Sequence, residues 1–146
     1  MMTQDAWLAI AHHLSVFGLL AVIATEWGLV RPGLDEGERQ RLARIDRAYG
    51  IVAGGVLLIG LARLEFGARD WGFYTENPFF WLKLASFAAV GLISIGPTRR
   101  YLRWAKTVDM PEESDVMAAR RGLQLQLAVF PLIPICAALM ARGIGG

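Results

Sequence analysis

Residues 6–30 read AWLAIAHHLSVFGLLAVIATEWGLV, and this apolar run decides the fold. The polar side chains within it are His12, His13, Ser15, Thr25 and Glu26. About 20 predominantly apolar residues are enough for a helix to cross the hydrocarbon core of a bilayer. No basic residue precedes the run, as one would in a cleavable signal peptide, so we expect a retained transmembrane helix.

Three further apolar runs follow, at about residues 48–67, 79–101 and 123–141. Each is long enough to span a bilayer, and backbone inside lipid must satisfy its hydrogen bonds within a helix. The short alternating segments of a transmembrane barrel are not seen. We therefore predict an all-α, integral membrane four-helix bundle. It forms a single domain over residues 1–146, with helices at about 5–30, 47–67, 79–103 and 121–142.

Composition supports a membrane protein and excludes other classes. Hydrophobic residues make up 55% of the chain before its 16 glycines are counted. A soluble bundle of this size has too much surface to hide so much apolar area. The net charge is only +2, and no basic tail is present, so we expect no nucleic-acid partner. One cysteine, Cys136, excludes an internal disulfide and a multi-cysteine metal site.

The basic residues are concentrated in two connections, residues 31–47 and 99–121. The connection between the second and third runs carries only Arg69. The positive-inside rule then places both basic loops in the cytoplasm and both termini outside, in the periplasm. This pattern predicts a multi-pass protein of the bacterial inner membrane, in contact with the lipid bilayer. Because residues 31–47 mix acidic and basic side chains, we expect an amphipathic segment at the interface.

Small residues and prolines predict how the helices pack. Gly50 and Gly54 form a small-xxx-small pair, which lets helices approach closely in lipid. We interpret it as packing within the chain, with a homodimer interface as the alternative. Pro131 and Pro134 are expected to kink the fourth helix.

An outer polar layer is predicted from the depth of three ionisable residues. His12, Arg63 and Lys83 each lie a turn or two from the outer end of their helix, roughly 5–10 Å below the boundary. Ionisable residues within a span usually face the bundle interior, so the three should converge. His12 shares a helix face with Glu26, whereas His13 is nearly opposite, so we expect His12 to point inward. The alternative is that Arg63 and Lys83 snorkel to the headgroups.

An inner polar layer is predicted near the cytoplasmic boundary. Its members are Glu26, Asp46, Arg47, Thr98 and Gln124, with Arg99 and Arg120 close by. Such groups at helix ends can form interfacial ion pairs that hold the bundle together. The alternative is an entry route for protons or ions.

Histidine chemistry suggests a cofactor for the outer layer. Neutral imidazole is an axial ligand of haem iron, and transmembrane bundles build such sites between facing helices. His12 and His13 diverge by about 100° on one helix, so they cannot hold one iron from both faces. This leaves a haem b with one histidine ligand from this chain, or a haem shared in a dimer. Arg63 and Lys83 would suit its propionates.

The same three side chains could instead bind an anionic substrate, a lipid headgroup or a quinone oxygen. Copper is a weaker alternative that would need Met1, Met2 or Met140 beside His12. No nucleophile–base pair or phosphate-binding loop is present, so hydrolytic catalysis is not expected.

Several short motifs carry a family resemblance. The first apolar run contains Trp7, Leu8, His12 and His13 and has Glu26 near its end. The second run begins with Asp46 and Gly50 and ends at Arg63, and the third begins with Phe80, Trp81, Lys83 and Leu84 and ends with Pro97 and Thr98. The fourth run is followed by Ala141, Arg142 and Gly143. The chain resembles an uncharacterised bacterial membrane-protein family, the domain of unknown function 2214, whose name implies no activity.

A more distant similarity is to the J-type protoporphyrinogen oxidases and the copper-resistance protein D group of membrane proteins. The likeness to the oxidases implies a b-type haem with His12 or His13 as ligand, and Lys83 nearby. It also implies redox chemistry on a porphyrin or quinone.

Three functional hypotheses follow. The first is a haem-binding redox protein with an outer His/Arg/Lys site, for which oxidoreductase activity is an open hypothesis. The second is a small transporter or permease-like unit that couples through Glu26 and the inner layer. The third is a structural or partner-binding membrane subunit without a ligand.

Overall fold

The structure is a computed structural model that describes residues 2–67 and 69–145, with side chains from residue 6 onward. These described residues form helices and connections, with no strand among them. The helices are α1 (Met2–Leu29), α2 (Glu36–Phe66), α3 (Trp71–Thr75), α4 (Pro78–Trp104), α5 (Glu113–Val129) and α6 (Leu132–Ala141).

Four segments are long and apolar enough to cross a membrane: Ala6–Leu29, Glu36–Phe66, Pro78–Trp104 and Glu113–Ala141. The fourth combines α5 and α6. Large apolar side chains such as Leu14, Ile51 and Leu92 are two-thirds or more exposed on the outside of the bundle. Patches of this extent on a soluble protein would promote aggregation, and here lipid covers them. The all-α membrane bundle is confirmed, and the protein is a multi-pass membrane protein.

The four spans form a ring in which α1 packs on α2, α2 on α4, α4 on α5 and α6, and α5 on α1. The start of α1, the end of α6 and the segment 69–77 lie at one end, which we call the terminal end. There the side-chain amide of Asn77 donates a hydrogen bond to the carbonyl of Ile144 at 3.2 Å. The connections 30–35 and 105–112 lie at the opposite end, the loop end. The side of the membrane that each end faces stays a prediction.

The second helix begins much earlier than predicted. Asp35 and Glu38 form a capping box, in which each side chain accepts a hydrogen bond from the other's backbone N–H. From there, Leu42, Ala43, Asp46 and Tyr49 follow at helical spacing and are buried. Residues 36–47 of the predicted amphipathic segment are therefore the first turns of α2, with one face packed into the bundle and the other exposed.

Arg39 ties this early part of α2 to the other loop. Its side chain is only 3% exposed, and Nη1 donates hydrogen bonds to the carbonyls of Thr107 (3.0 Å) and Asp109 (2.6 Å). Nη2 lies 3.4 Å from the carbonyl of Val108. One guanidinium thus holds the two connections of the loop end together.

The fourth span also differs from its predicted bounds. It starts at Glu113 rather than near residue 121, and it is interrupted between Val129 and Leu132. Pro131 has no N–H to continue the α5 ladder, and the chain resumes as α6. The helix is thus interrupted at Pro131, one of the two prolines expected to kink it, whereas Pro134 lies within α6.

The expected packing of the glycine pair within the chain is wrong. A Cβ built on Gly50 or Gly54 would meet nothing within 4 Å, and both residues are exposed. This narrow face of α2 points away from the helices of its own chain.

Candidate functional site

A cleft opens between α1, α2 and α4 near the terminal end, and we call it the outer cleft. It has a volume of about 90 Å³. Its polar lining residues are His12, Arg63, Lys83 and Tyr74, and its apolar lining includes Val56, Gly60, Phe80, Phe87 and Ile133. Leu57, Leu61 and Leu84 line it while remaining exposed, so the cleft opens onto the lipid-facing surface.

His12 lines this cleft and packs against Gly60 of α2. A Cβ on Gly60 would lie 3.4 Å from Cε1 of His12, so α1 and α2 are in close contact here. Nδ1 of His12 is buried and has no hydrogen-bond partner. His13 is exposed, with its Nδ1 only 2.6 Å from the carbonyl oxygen of Ala9. The prediction that His12 is the inward histidine is confirmed.

Arg63 and Lys83 converge on the same cleft from α2 and α4. Nε of Arg63 is buried without a hydrogen-bond partner, and Nζ of Lys83 lies 5.3 Å from the ring centre of Phe80. Neither residue takes part in an ion pair within residues 6–67 and 69–145. No carboxylate is among the described residues that line the cleft. The cleft is therefore positively charged and otherwise apolar.

The donor set suits the anionic or carbonyl end of a molecule dissolved in the membrane. Arg and Lys form charge-assisted hydrogen bonds with oxyanions, and the apolar walls can hold a hydrophobic body. For haem b, the unpartnered Nδ1 of His12 and the two cations fit the iron and the propionates. The enclosed volume fits only part of a porphyrin, because sites for whole ligands usually enclose about 300–1,000 Å³.

A copper centre has less support. No group of three His, Cys, Asp or Glu side chains that could hold a metal occurs in the part of the chain that the structure describes. Met140 is buried at the terminal end. Met1 and the side chain of Met2 lie outside the described residues.

Two of the predicted inner residues are buried carboxylates. Glu26 is 2% exposed and Asp46 is 7% exposed. Thr98 belongs to the same group, since its hydroxyl donates a hydrogen bond to Oδ1 of Asp46 at 2.8 Å. Oε1 of Glu26 is buried and has no hydrogen-bond partner. We call Glu26, Asp46 and Thr98 the inner polar group.

The other predicted inner residues lie elsewhere. Arg47, Arg99 and Gln124 are exposed. Arg120 donates to the carbonyls of Trp27 and Val30 and places its guanidinium over the ring of Trp27. The ion pairs in the described regions join Arg31 to Glu38 and both Arg100 and Arg103 to Asp115. Ion pairs thus form near the loop end, but they do not involve Glu26 or Asp46.

Gln126 and Tyr101 are buried polar residues that the sequence analysis missed. Gln126 is 1% exposed and Tyr101 is fully buried, and each has a polar atom without a partner. The signal for Gln126 was its spacing from Ala119 and Leu123, which places it on the buried face of α5. Gln124 is two positions away and points to the opposite side.

Fold and sites together define a small multi-pass membrane protein with two polar sites inside an apolar bundle. Residues 4–145 match the model of a family described as a predicted membrane protein, DUF2214. The chain belongs to this family, which confirms the resemblance drawn from its motifs. No curated protein and no solved structure matches the chain.

Proposed function

We propose that the protein binds the anionic end of a membrane-dissolved cofactor in the outer cleft. The observation that carries this proposal is the convergence of His12, Arg63 and Lys83 on a cleft lined by no described carboxylate. Holding two cations in an apolar setting is costly without a counter-charge. A bound anion would supply that charge and use the unpartnered donors.

Haem b is the cofactor that would use all three side chains. His12 would be the axial ligand, and Arg63 and Lys83 would hold the propionates. When bound, haem supplies one-electron redox chemistry, and the protein would then be an oxidoreductase acting on a porphyrin or quinone. Because the cleft encloses about 90 Å³ and opens toward lipid, much of the macrocycle would lie in that opening.

The first test is the visible spectrum of detergent-purified protein expressed with added haem, oxidised and then reduced with dithionite. Haem binding predicts a Soret band and sharp reduced α and β bands. These bands should disappear in His12→Ala and persist in His13→Ala, which alters the exposed neighbour on the same helix. A colourless wild-type protein would rule out haem b and leave the binding of other anionic amphiphiles to a second test.

That second test is native mass spectrometry with a fatty acid, phosphatidylglycerol and a ubiquinone as separate probes. Binding of an acidic probe should weaken at least tenfold in the Arg63→Gln/Lys83→Gln variant. If only the quinone binds, hydrogen bonding rather than charge selects the ligand. If none of the probes nor haem binds, the proposal fails.

A second candidate function is transport, favoured by the burial of Glu26 without a cationic partner. In this alternative, a small permease-like unit couples substrate movement to a proton or ion at the inner polar group. Reconstituted protein should then lose transport in Glu26→Gln and keep it in His12→Ala. The reverse result would assign the activity to the outer cleft.

The third candidate is a structural or partner-binding subunit. The exposed Gly50–Gly54 face of α2 would then contact a second copy of the chain or another membrane helix. Replacing both glycines with leucine should abolish a homodimer in crosslinking experiments in the membrane. An unchanged crosslink would place the interface elsewhere.

We also propose that the chain resides in a bacterial inner membrane, with the loop end in the cytoplasm. The basic residues of both connections support this orientation. Reporter proteins fused after residue 146 test this orientation. If that end lies in the periplasm, a fused alkaline phosphatase should be active, and a fused fluorescent protein that is exported unfolded should not fluoresce.

A further inference from the structure

The inner polar group lies at one level of the bundle. Contacts of Gly18 with Val52 and of Gly60 with His12 fix the antiparallel register of α1 and α2. Counting along both helices from these contacts places Glu26 opposite residues 44–46. Asp46 of α2 therefore lies at the level of Glu26 of α1. Thr98 of α4 completes the level through its hydrogen bond to Asp46.

Among the residues that the structure describes, no cationic side chain neutralises these two carboxylates. Arg39 donates hydrogen bonds to the backbone carbonyls of residues 107–109. Arg120 donates to the carbonyls of Trp27 and Val30. Arg47 is exposed, and neither carboxylate takes part in an ion pair within the described ranges. Removing two carboxylates from water without a counter-charge costs several kcal/mol, so another species must neutralise them.

Two further buried oxygens near this level have no hydrogen-bond partner among the described residues. Tyr101 lies about one turn beyond Thr98 on α4, and its hydroxyl is buried and unpartnered. Gln126 lies about one turn along α5 from Gly122, which approaches Pro97 next to Thr98, and its Oε1 is also buried and unpartnered. Buried polar atoms without a partner are uncommon in native proteins and often indicate an ion or water that binds there.

We propose that the inner polar group is a binding site for a hard cation held by oxygen ligands. Glu26 and Asp46 would supply the charge, and the oxygens of Thr98, Tyr101 and Gln126 would complete the coordination. Ca²⁺ and Mg²⁺ prefer such oxygen ligands, and Ca²⁺ accepts an irregular set of them. Two carboxylates neutralise one divalent ion, or one monovalent ion if one carboxyl is protonated. The site is separate from the outer cleft and does not depend on its function.

The test is thermal unfolding of the detergent-purified protein after treatment with a chelator and exchange into choline chloride. Na⁺, Mg²⁺ and Ca²⁺ chlorides are then added separately at constant ionic strength. We expect one of these cations to raise Tm by about 5 °C at saturating concentration, as a ligand specific to the folded state does. Isothermal titration calorimetry with that cation should give one site per chain.

Variants locate the site. Glu26→Gln and Asp46→Asn keep the shape of each side chain and remove its charge, so the cation-dependent rise in Tm should disappear. Glu65→Gln is the matched control, because Glu65 is exposed near the opposite end of α2, and it should keep the rise. Retention of the rise in both inner variants would place the cation elsewhere and overturn the proposal.

The wild-type measurement alone also decides the question if the variants fail to fold. Equal Tm values in choline, Na⁺, Mg²⁺ and Ca²⁺ would mean that the carboxyls are neutralised by protons. That result would overturn the cation site.

Discussion

Gly122 of α5 lies so close to Pro97 of α4 that a Cβ built on the glycine would be 2.9 Å from Cγ of the proline ring. Contacts shorter than 3.0 Å are essentially never made by real Cβ atoms. The proline ring cannot rotate away, because it is fixed to its own backbone. The two helices therefore approach at a point that only glycine permits.

The substitution Gly122→Ala should destabilise the protein by about 1–3 kcal/mol, because the added methyl group forces α4 and α5 apart. Thermal unfolding of the detergent-purified protein measures this effect. Gly91→Ala is the control, since a Cβ at that position on α4 would meet nothing within 4 Å. It should be neutral or slightly stabilising, as alanine favours a helix over glycine. A Gly122→Ala protein as stable as the control would contradict the close approach.

Arg39→Lys should destabilise the loop end by about 2 kcal/mol. A lysine ammonium keeps the charge, but its single nitrogen cannot replace all three donors of the guanidinium. Nε of Arg39 donates to the carbonyl of Asp35, Nη1 to those of Thr107 and Asp109, and Nη2 to that of Val108. Arg44→Lys is the matched control on the exposed side of the same helix and should have little effect. Limited proteolysis within residues 105–112 should speed up in Arg39→Lys only. Equal proteolysis of both variants would show that Arg39 does not hold this loop.

The four spans could be predicted because hydropathy depends on local sequence. The first residues of α2 and α5 could not be predicted from hydropathy. Their first turns are charged, and a hydropathy pattern places charged stretches in loops. The Asp35–Glu38 capping box was a readable signal for the true start of α2. The burial of Arg39 could not be predicted in this way, because it depends on carbonyl groups about 70 residues away in sequence.

The convergence of the three outer side chains could be predicted from their depth and from the preference of ionisable residues in a span for the bundle interior. His12, Arg63 and Lys83 lie at similar distances from their helix ends, and a constant helical rise brings them to one level. The inner residues were harder, because depth does not say which side of a helix is buried. Gln124 and Gln126 share a depth, and only the packing of α5 on α1 and α4 makes Gln126 the interior one.

Asn77 should be sensitive to two different substitutions. Its side-chain oxygen caps α4 by accepting a hydrogen bond from the N–H of Phe79 at 2.9 Å, and its amide nitrogen donates to the carbonyl of Ile144. Asn77→Asp keeps the cap and loses the donor, whereas Asn77→Ala loses both. We expect a loss of about 1 kcal/mol for Asp and about 2 kcal/mol for Ala in thermal unfolding.

An equal loss in the two Asn77 variants would assign the whole effect to the contact with Ile144. A smaller loss in Asn77→Ala than in Asn77→Asp would contradict the capping role. Thr75→Ala is a suitable control, because Thr75 is exposed and its hydroxyl bonds only within its own short helix.

Lys83→Met should stabilise the ligand-free protein while weakening ligand binding. Methionine has nearly the same length and no charge, so it removes a cation that faces an apolar cleft without a carboxylate. The expected gain is about 1 kcal/mol, below the value for a lysine at the centre of a span, because Lys83 lies near the start of α4. Lys106→Met is the control, since Lys106 is exposed beyond the end of α4 and should not affect Tm.

A substitution that stabilises the free protein and weakens ligand binding separates the cost of the charge from its role in binding. Lys83→Met should therefore combine a higher Tm without ligand with a smaller rise in Tm when an acidic amphiphile is added. A lower Tm in Lys83→Met would mean that the contact of Lys83 with Phe80 supports the fold itself. In that case the positive charge of the cleft would be structural, and the binding proposal would rest on His12 and Arg63 alone.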